Sequence, residues 1–324
     1  MRRSITLMLA GALALPLAVA APGAGTAAAH PSSVSPPRVL AGFDPAAGEQ
    51  PESVAVDREG NAYVSLVGAG EVVRVSPGGE RATLARFPRV LALLLAEDGS
   101  VLVNVLTFRQ GTHGVWRVAP NGHTSLFAAL PPSAVPNGIA ADKAGNVYIA
   151  DSRLARIWRV PVGGSAEPWL VDQRLAATSG TGFPGANGLQ VFRGDVYVSN
   201  SDQGTLLRAP ITASGAPGGL ETVATQLPAD DFTFDVRGNI YVTTDPFQTV
   251  VRIAPDGTRE VLLTEEDGLD GPTAATFGRH GKDRRTLYIT NAAFPQFQGT
   301  SPTLIAVDLG IPGQPPALGP AAIG

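Results

Sequence analysis

Cysteine is absent from this 324-residue chain, and histidine is scarce, with four residues. The absence of cysteine excludes disulfides and a lipid-modified N-terminal cysteine, so stability has to come from apolar burial and backbone hydrogen bonds. The four histidines show no His-x-x-x-His spacing, so the helical zinc motif is absent. No Gly-x-Ser-x-Gly stretch occurs, so nothing supports Ser-His-Asp catalysis on that pattern.

An excess of positive charge is also missing, since the formal net charge is −4 at pH 7. This balance argues against nucleic acid and anionic lipid as partners. Helical periodicity is not sustained anywhere after residue 29, and no later apolar run approaches the length of a bilayer span. We therefore expect an all-β protein with no membrane partner in its mature form.

The N-terminus has the pattern of a secretory signal peptide. Arg2 and Arg3 precede an apolar run, and small-residue Ala-x-Ala sites end at Ala20 and Ala29. We interpret residues 1–29 as a cleaved signal peptide and expect a secreted, extracellular protein. The alternative, a membrane anchor, is disfavoured because the apolar run is short and is followed by Pro, Gly and Ala.

One pattern occurs six times along the rest of the chain. It consists of an apolar alternation, an Asp or a substitute, a Gly about three residues later, and an apolar strand that often contains Tyr. The aligned positions are Asp57, Ala96, Asp142, Phe192, Asp235 and Phe277. Four strands per unit at a spacing of about 44 residues are typical of a propeller blade. The pattern predicts a six-bladed β-propeller over residues 30–310.

The sixth unit has no fourth strand after "TLIAVDLG" (303–310), whereas "RVLAGF" (38–43) is spare at the other end. We predict that this N-terminal strand completes the last blade and closes the ring, because closure removes two open sheet edges. The Pro/Gly-rich residues 311–324 are expected to form a flexible tail.

Oxygen-bearing side chains occupy one register in four of the six units, five residues before the aligned position. They are Glu52, Asn137, Asn187 and Asp230, and the other two units have Leu91 and Pro272. Each position should begin the first strand of its blade, and first strands line the channel of a propeller. Asn-Gly pairs are also common turn signals, so a turn explains any one position. Turn chemistry does not predict two acids at the same offset, and the set therefore favours a metal site.

Two carboxylates and two amides suit a hard divalent cation, and Ca²⁺ is our first choice before Zn²⁺, Mn²⁺ or Mg²⁺. With these four positions, the chain resembles the SMP-30/gluconolactonase/LRE-like family of six-bladed propellers. The segment "GPTAATFGRHGKDRRTLYIT" (271–290) is also similar to that family, and the resemblance covers residues 38–310. It implies one divalent metal held by the four residues and a lactonase or esterase activity.

The resemblance also implies individual roles. Asn137 matches a residue that contacts substrate near the metal, and Asp230 matches a metal-binding Asp that we choose as general base. Asp231 is the second choice, although strand alternation should turn it away from Asp230. Val135 stands where many sugar-lactone enzymes of the family have Arg. The expected substrate is a small lactone or ester, with an apolar one as plausible as a sugar lactone.

Loops after second strands should surround the same channel mouth. They contain Arg109 and Arg153, either of which could hold a substrate anion. His113 and His123 lie in or beside turns of the second unit, and we interpret them as surface residues. The competing function is a non-catalytic propeller with NHL-like repeats that binds a small ligand or a protein. We expect a monomer in either case.

Overall fold

The computed structural model describes residues 34–245 and 247–322, so the predicted signal peptide lies outside the described residues. The described chain forms six antiparallel sheets of four strands, which confirms the six-bladed β-propeller. It contains no α-helix in these ranges, and none of its helices is long and apolar enough to cross a membrane. Its five short 3-10 helices are Pro45–Ala47, Gln173–Leu175, Glu265–Asp267, Gly281–Arg285 and Pro295–Phe297.

The strands fall into four concentric sets. The innermost strands of blades 1 to 6 are β2 (Pro51–Val56), β6 (Val90–Leu95), β10 (Pro136–Ala141), β14 (Ala186–Phe192), β18 (Phe232–Phe234) and β22 (Pro272–Phe277). The second strands are β3 (Ala62–Leu66), β7 (Val101–Val105), β11 (Val147–Asp151), β15 (Asp195–Asn200), β19 (Ile240–Thr244) and β23 (Thr286–Asn291). The third strands are β4 (Glu71–Val75), β8 (Gly114–Val118), β12 (Arg156–Val160), β16 (Thr205–Pro210), β20 (Thr249–Ile253) and β24 (Thr303–Asp308). The outer strands are β5 (Arg81–Arg86), β9 (Thr124–Ala129), β13 (Glu167–Val171), β17 (Glu221–Ala224), β21 (Arg259–Leu263) and, in blade 6, β1 (Arg38–Gly42).

Inner strands contact the inner strands of the neighbouring blades around the whole ring. They are covered on both faces, so β10 is buried throughout its length, whereas the outer strand β9 is mostly exposed or half-buried. Apolar clusters fill the spaces between blades, as where Val72 of blade 1 packs with Val103 of blade 2. Burial between neighbouring sheets thus stabilises the ring in the absence of disulfides.

The N-terminal strand closes the ring as predicted. Strand β1 pairs antiparallel with β24, with Arg38 opposite Ala306 and Gly42 opposite Thr303. Just beyond β1, the Phe43 amide donates to the Pro302 carbonyl at 2.9 Å. The Phe43 side chain is buried between blades 6 and 1 and carries the Arg81 guanidinium over its ring. The sheet of blade 6 therefore combines the first and the last strands of the described chain.

The repeated Asp is a turn residue between the first and second strands. In blade 1, Asp57 accepts hydrogen bonds from the amides of Glu59 and Asn61, the Asn61 Nδ2 and the Tyr63 hydroxyl, at 2.8 to 3.2 Å. Gly60 has a φ of +82°, a conformation that glycine adopts without strain. Blades 3 and 5 make the same contacts through Asp142, Asn146, Tyr148, Asp235, Asn239 and Tyr241. The repeat in the sequence is therefore a self-contained turn, at the end of the channel opposite the starts of the inner strands.

The C-terminal residues cross that same end of the channel. The amide of Gln314 donates to the Phe234 carbonyl of blade 5, and the amide of Gly319 donates to the Leu95 carbonyl of blade 2. Between them, the Arg279 guanidinium donates to the Pro316 carbonyl at 2.9 Å. Composition alone predicts a flexible tail and gives no sign of these contacts, because they are made mostly by backbone groups. Above the tail, the channel retains a cavity of about 30 Å³ lined in part by Asp231, Arg279 and Pro316.

Candidate metal and substrate site

The four oxygen-bearing positions lie at the end of the channel where the inner strands begin. Glu52 is the second residue of β2, Asn137 is the second of β10 and Asn187 is the second of β14. Asp230 lies two residues before β18, and its amide donates to the Thr243 carbonyl at 2.9 Å. The register predicted from the sequence therefore brings these residues to one end of one channel.

The Asn-Gly pairs are not turns. Both lie within inner strands, and neither Gly138 nor Gly188 has a positive φ. A Cβ on Gly138 would lie 2.4 Å from the Asn187 carbonyl oxygen, and one on Gly188 would lie 2.7 Å from that of Asp230. Glycine is needed because neighbouring inner strands approach closely here, and the turn interpretation of these pairs is wrong.

A serine holds each asparagine in one orientation. Asn137 Nδ2 donates to Ser152 Oγ at 3.2 Å, and Ser152 Oγ donates to the Ala186 carbonyl at 2.7 Å. A hydroxyl has a single proton, so a serine that donates to a carbonyl must accept from the amide. The Asn137 Oδ1 atom accepts no hydrogen bond from any described residue and is left available as a ligand.

The next blade repeats this arrangement. Asn187 Nδ2 donates to Ser201 Oγ at 2.9 Å, and Ser201 Oγ donates to the Ala229 carbonyl at 2.6 Å. Asn187 Nδ2 also donates to Asp230 Oδ1 at 2.6 Å. Its own Oδ1, like that of Asn137, meets no donor within the described ranges. Such outer contacts fix the direction of a metal ligand and are needed for a preformed site.

Carboxylates surround this point and oppose one another's ionisation. Burial raises the pKa of Glu52 to about 8, and the charges of Asp245 and Asp231 add to the rise. Burial and the charges of Glu52, Asp245 and Asp231 raise the pKa of Asp230 well above its ordinary value, whereas the hydrogen bond from Asn187 lowers it. The buried Glu52 Oε2 atom has no hydrogen-bond partner among the described residues. A buried carboxylate in this situation requires a proton or a cation.

Two further acids affect this cluster, and the sequence pointed to only one of them, Asp231. Asp245 follows the second strand of blade 5, and burial, followed by the charge of Asp270, raises its pKa to about 7. Asp245 lies outside the register that the four oxygen-bearing residues share. Its position in a loop after a second strand could have indicated that it lies at the channel mouth. Burial raises the pKa of Asp231 to about 7, and this residue lines the channel cavity.

The donor set fits a hard divalent cation. Glu52 offers an unpartnered carboxylate oxygen, Asn137 and Asn187 offer fixed amide oxygens, and Asp230 offers a carboxylate. Oxygen ligands of this kind suit Ca²⁺ better than a soft metal. No group of three or more His, Cys, Asp or Glu that could hold a metal occurs in the described part of the chain. A cation here would therefore depend on the two amides as well as the acids.

The two arginines lie on loops at the same end but do not reach the four residues. Arg109 and Arg153 are exposed, and the Arg153 guanidinium lies 6.0 Å from the centroid of the Phe108 ring. His113 is fully buried, so its interpretation as a surface residue is wrong. Its Nδ1 accepts from the amides of Thr107 and Phe108, and its Nε2 lies 3.1 Å from the Ala134 carbonyl. It therefore anchors the loop of blade 2 at the mouth, and burial lowers its pKa.

The fold and the site define a six-bladed propeller with oxygen-bearing side chains clustered at the mouth of its channel. No family model matches the chain. Among curated proteins it is 28% identical over 195 residues to a candidate hetero-Diels-Alderase from Phoma sp. This match covers 51% of the chain and 54% of the relative, so it spans about half of each protein.

Solved structures with the same fold include a luciferin-regenerating enzyme, with a TM-score of 0.68, 16% identity and coverage of 84% of this chain and 96% of that one. Regucalcin from Agrobacterium tumefaciens, a calcium-binding protein, has a TM-score of 0.66, 18% identity and coverage of 89% and 97%. A gluconolactonase from Xanthomonas campestris has a TM-score of 0.61, 15% identity and coverage of 86% and 95%. The resemblance to SMP-30, gluconolactonase and luciferin-regenerating proteins is thus confirmed in the six-bladed fold.

Proposed function

We propose that the protein is a metal-dependent hydrolase that opens a small lactone or ester at the mouth of its channel. The observation that carries the proposal is the set of oxygen atoms from Glu52, Asn137 and Asn187 that meet no donor in the described part of the chain, beside the Asp230 carboxylate. The calcium-binding regucalcin and the gluconolactonase among the structural neighbours support the same chemistry.

Glu52, Asn137, Asn187 and Asp230 would hold one divalent cation, for which Ca²⁺ is the best match. When bound, the cation supplies polarisation of the substrate carbonyl and stabilises negative charge on its oxygen. Asn187 positions Asp230 through the 2.6 Å hydrogen bond to Oδ1. The other Asp230 oxygen is then free to accept a proton from water, so Asp230 is the proposed general base. The tail across the far end of the channel leaves the mouth as the route for substrate.

Removal of divalent ions with EDTA is expected to lower the Tm, and added Ca²⁺ is expected to restore it. A ligand that binds only the folded state adds about 2.7 kcal/mol at a concentration one hundred times its Kd. Asn187→Ala should weaken the response to Ca²⁺. Gln190→Ala is the matched control, because it removes an amide from the same strand deeper in the channel and should leave the response unchanged. Calorimetry that finds no divalent binding to the parent protein would refute the site.

The effect of EDTA on the Tm is expected to depend on pH. In EDTA, the folded-state pKa of Glu52 is raised from 4.5 to about 8, so its contribution to stability is fully present below pH 4.5 and is lost as the pH rises towards 8. The raised pKa of Asp230 also makes the stability without a cation fall as the pH rises. The Tm difference between Ca²⁺ and EDTA should therefore grow from pH 5 to pH 8. A difference that shrinks over this range would contradict the cation site.

A second candidate function is suggested by one observation, the 28% identity to a candidate hetero-Diels-Alderase. In that case the mouth binds an apolar small molecule without hydrolysing it. The NHL-like binding propeller is a related possibility. A panel of lactones and esters, assayed with Ca²⁺ and with EDTA, separates these functions, because only the hydrolase shows turnover that depends on the cation.

We also propose that the protein acts outside the cell as a monomer, after cleavage of residues 1–29. Secreted protein should begin after Ala20 or Ala29, because small-residue sites end there. The mature protein should contain no methionine, since Met1 and Met8 are the only two. N-terminal sequencing of protein from the culture medium checks this, and an intact Met1 terminus would rule it out.

A further inference from the structure

Two phenylalanine rings meet at the end of the channel that carries the candidate ligands. Phe183 lies in the segment that leads into blade 4, and Phe297 lies in the loop between β23 and β24 of blade 6. Their centroids are 6.0 Å apart and their planes differ by 17°. Blades 4 and 6 are not neighbours, so this contact joins loops of two blades that blade 5, which contributes Asp230, separates.

A buried carboxylate holds the loop of Phe183 in place. Asp202 accepts hydrogen bonds from the amides of Thr178 and Ser179 at 2.6 and 2.7 Å, and from the hydroxyls of Ser179 and Thr181. Thr181 Oγ1 in turn accepts from the Phe183 amide at 3.2 Å. Asp202 directly follows Ser201, the serine that orients Asn187. The Phe183 ring is therefore built onto the same framework as a candidate ligand.

The loop of Phe297 is held in the same manner. Asp270 Oδ2 accepts from the amides of Thr300 and Ser301, both at 2.9 Å. The amide of Phe297 donates to the Phe294 carbonyl at 2.9 Å, within a short 3-10 turn. The charge of Asp270 contributes to the raised pKa of Asp245, whose own charge acts on Glu52 and Asp230. Both rings thus have fixed positions, which is what a specific contact with a small molecule requires.

Two exposed phenylalanines add apolar surface at this end of the molecule, where Arg109 and Arg153 are also exposed. Phe108 and Phe247 are 50% and 62% exposed, and they are the only aromatic residues of the described ranges that are exposed. Both lie on loops after second strands, at the same end of the molecule. One exposed phenylalanine needs no explanation, but two exposed and two half-buried phenylalanines on loops at one end of the molecule indicate a binding surface.

We propose that Phe183 and Phe297 form an aromatic subsite that selects substrates with a flat apolar group on the carbon bonded to the ester oxygen. This inference rests on the proposed hydrolase function and names its substrate class. The carbonyl of such a substrate lies at the four oxygen ligands, while its apolar group packs against the phenylalanine pair. Val135 adds an apolar side chain two residues before Asn137 and provides no charged group for a sugar acid.

The test compares two lactones that differ only in a phenyl group, γ-phenyl-γ-butyrolactone and γ-butyrolactone. The parent should prefer the phenyl compound in kcat/KM, and Phe183→Ala and Phe297→Ala should each reduce that preference by about tenfold. Phe127→Ala is the control, since this half-buried ring lies on the outer strand β9 under Arg117. Thermal melts confirm that each variant is folded, and Phe183→Leu keeps apolar bulk if Phe183→Ala does not fold.

A binding experiment distinguishes a failure of the aromatic subsite from a failure of the proposed hydrolase function. Calorimetry with 5-phenyl-2-pyrrolidinone and 2-pyrrolidinone uses lactams that resist hydrolysis. If no lactone is turned over but the phenyl lactam binds the parent and not the two alanine variants, the subsite stands and the hydrolase proposal fails. If both lactones are turned over with an unchanged ratio in the variants, the hydrolase stands and the subsite is wrong. The subsite is also wrong if there is no turnover and the phenyl lactam binds no better than the plain one.

Discussion

Asp230→Asn is expected to keep its cation and to lose most hydrolytic turnover, by roughly 10²–10⁴-fold, the usual effect of removing a general base. The amide retains an oxygen for the cation but cannot take a proton from water. It also removes the carboxyl group whose ionisation the charge of Glu52 opposes. The measurement is kcat/KM on a substrate from the lactone and ester panel, with cation content determined for each preparation.

Asp231→Asn provides the matched control. It makes the same chemical change one residue along, at a side chain that lines the cavity deeper in the channel. Its effect on kcat/KM should be much smaller than that of Asp230→Asn. A cation-loaded Asp230→Asn protein that turns over at the parent rate would show that Asp230 is not the base. A large loss only in Asp231→Asn would transfer the role to that residue.

Deletion of residues 30–44 is expected to abolish soluble expression or to lower the Tm sharply. The deletion removes β1 and leaves β24 with an unpaired edge, which invites association with other chains. It also removes Phe43, which is buried between blades 6 and 1. Expression in the soluble fraction and thermal unfolding measure the effect. A deletion variant that melts like the parent would mean that this segment is only a linker.

Point substitutions separate strand pairing from core packing. Phe43→Ala should cost roughly 3–5 kcal/mol, as for other buried phenylalanines, and should lower the Tm by on the order of 10 °C. Val39→Ala is the control on the same strand, because Val39 is 65% exposed and its loss should change little. If both substitutions are neutral while the deletion is not, backbone pairing of β1 with β24 holds the ring closed.

The six blades were predictable because the strand pattern recurs in every blade, and a local turn built on Asp recurs in blades 1, 3 and 5. Asp57, Asn61 and Tyr63 complete their turn within seven residues, so the turn is visible in a short stretch of sequence. The missing sixth outer strand was predictable for a similar reason. An incomplete repeat at one end and a spare strand at the other have only one arrangement that removes both open edges.

The shared register of Glu52, Asn137, Asn187 and Asp230 was predictable, but the structural role of the Asn-Gly pairs was not. Glycine at 138 and 188 looks like a turn in sequence, and the close approach of two inner strands depends on residues about 50 or 40 positions away. The burial of His113 was hidden for the same reason. Its partner, the Ala134 carbonyl, lies in the next blade connection, and a backbone group has no signature in the sequence.

The sequence by itself determined the fold class, the closure of the ring and the placement of Glu52, Asn137, Asn187 and Asp230 at one end of the channel. These features follow from periodic patterns, which a linear chain displays directly. Only the tertiary structure decided which groups surround these four residues. The serines behind the asparagines, the acid Asp245 and the pair of Phe183 and Phe297 come from loops of different blades. The tail across the far end is held mainly through backbone groups, so these contacts exist only once the ring has closed.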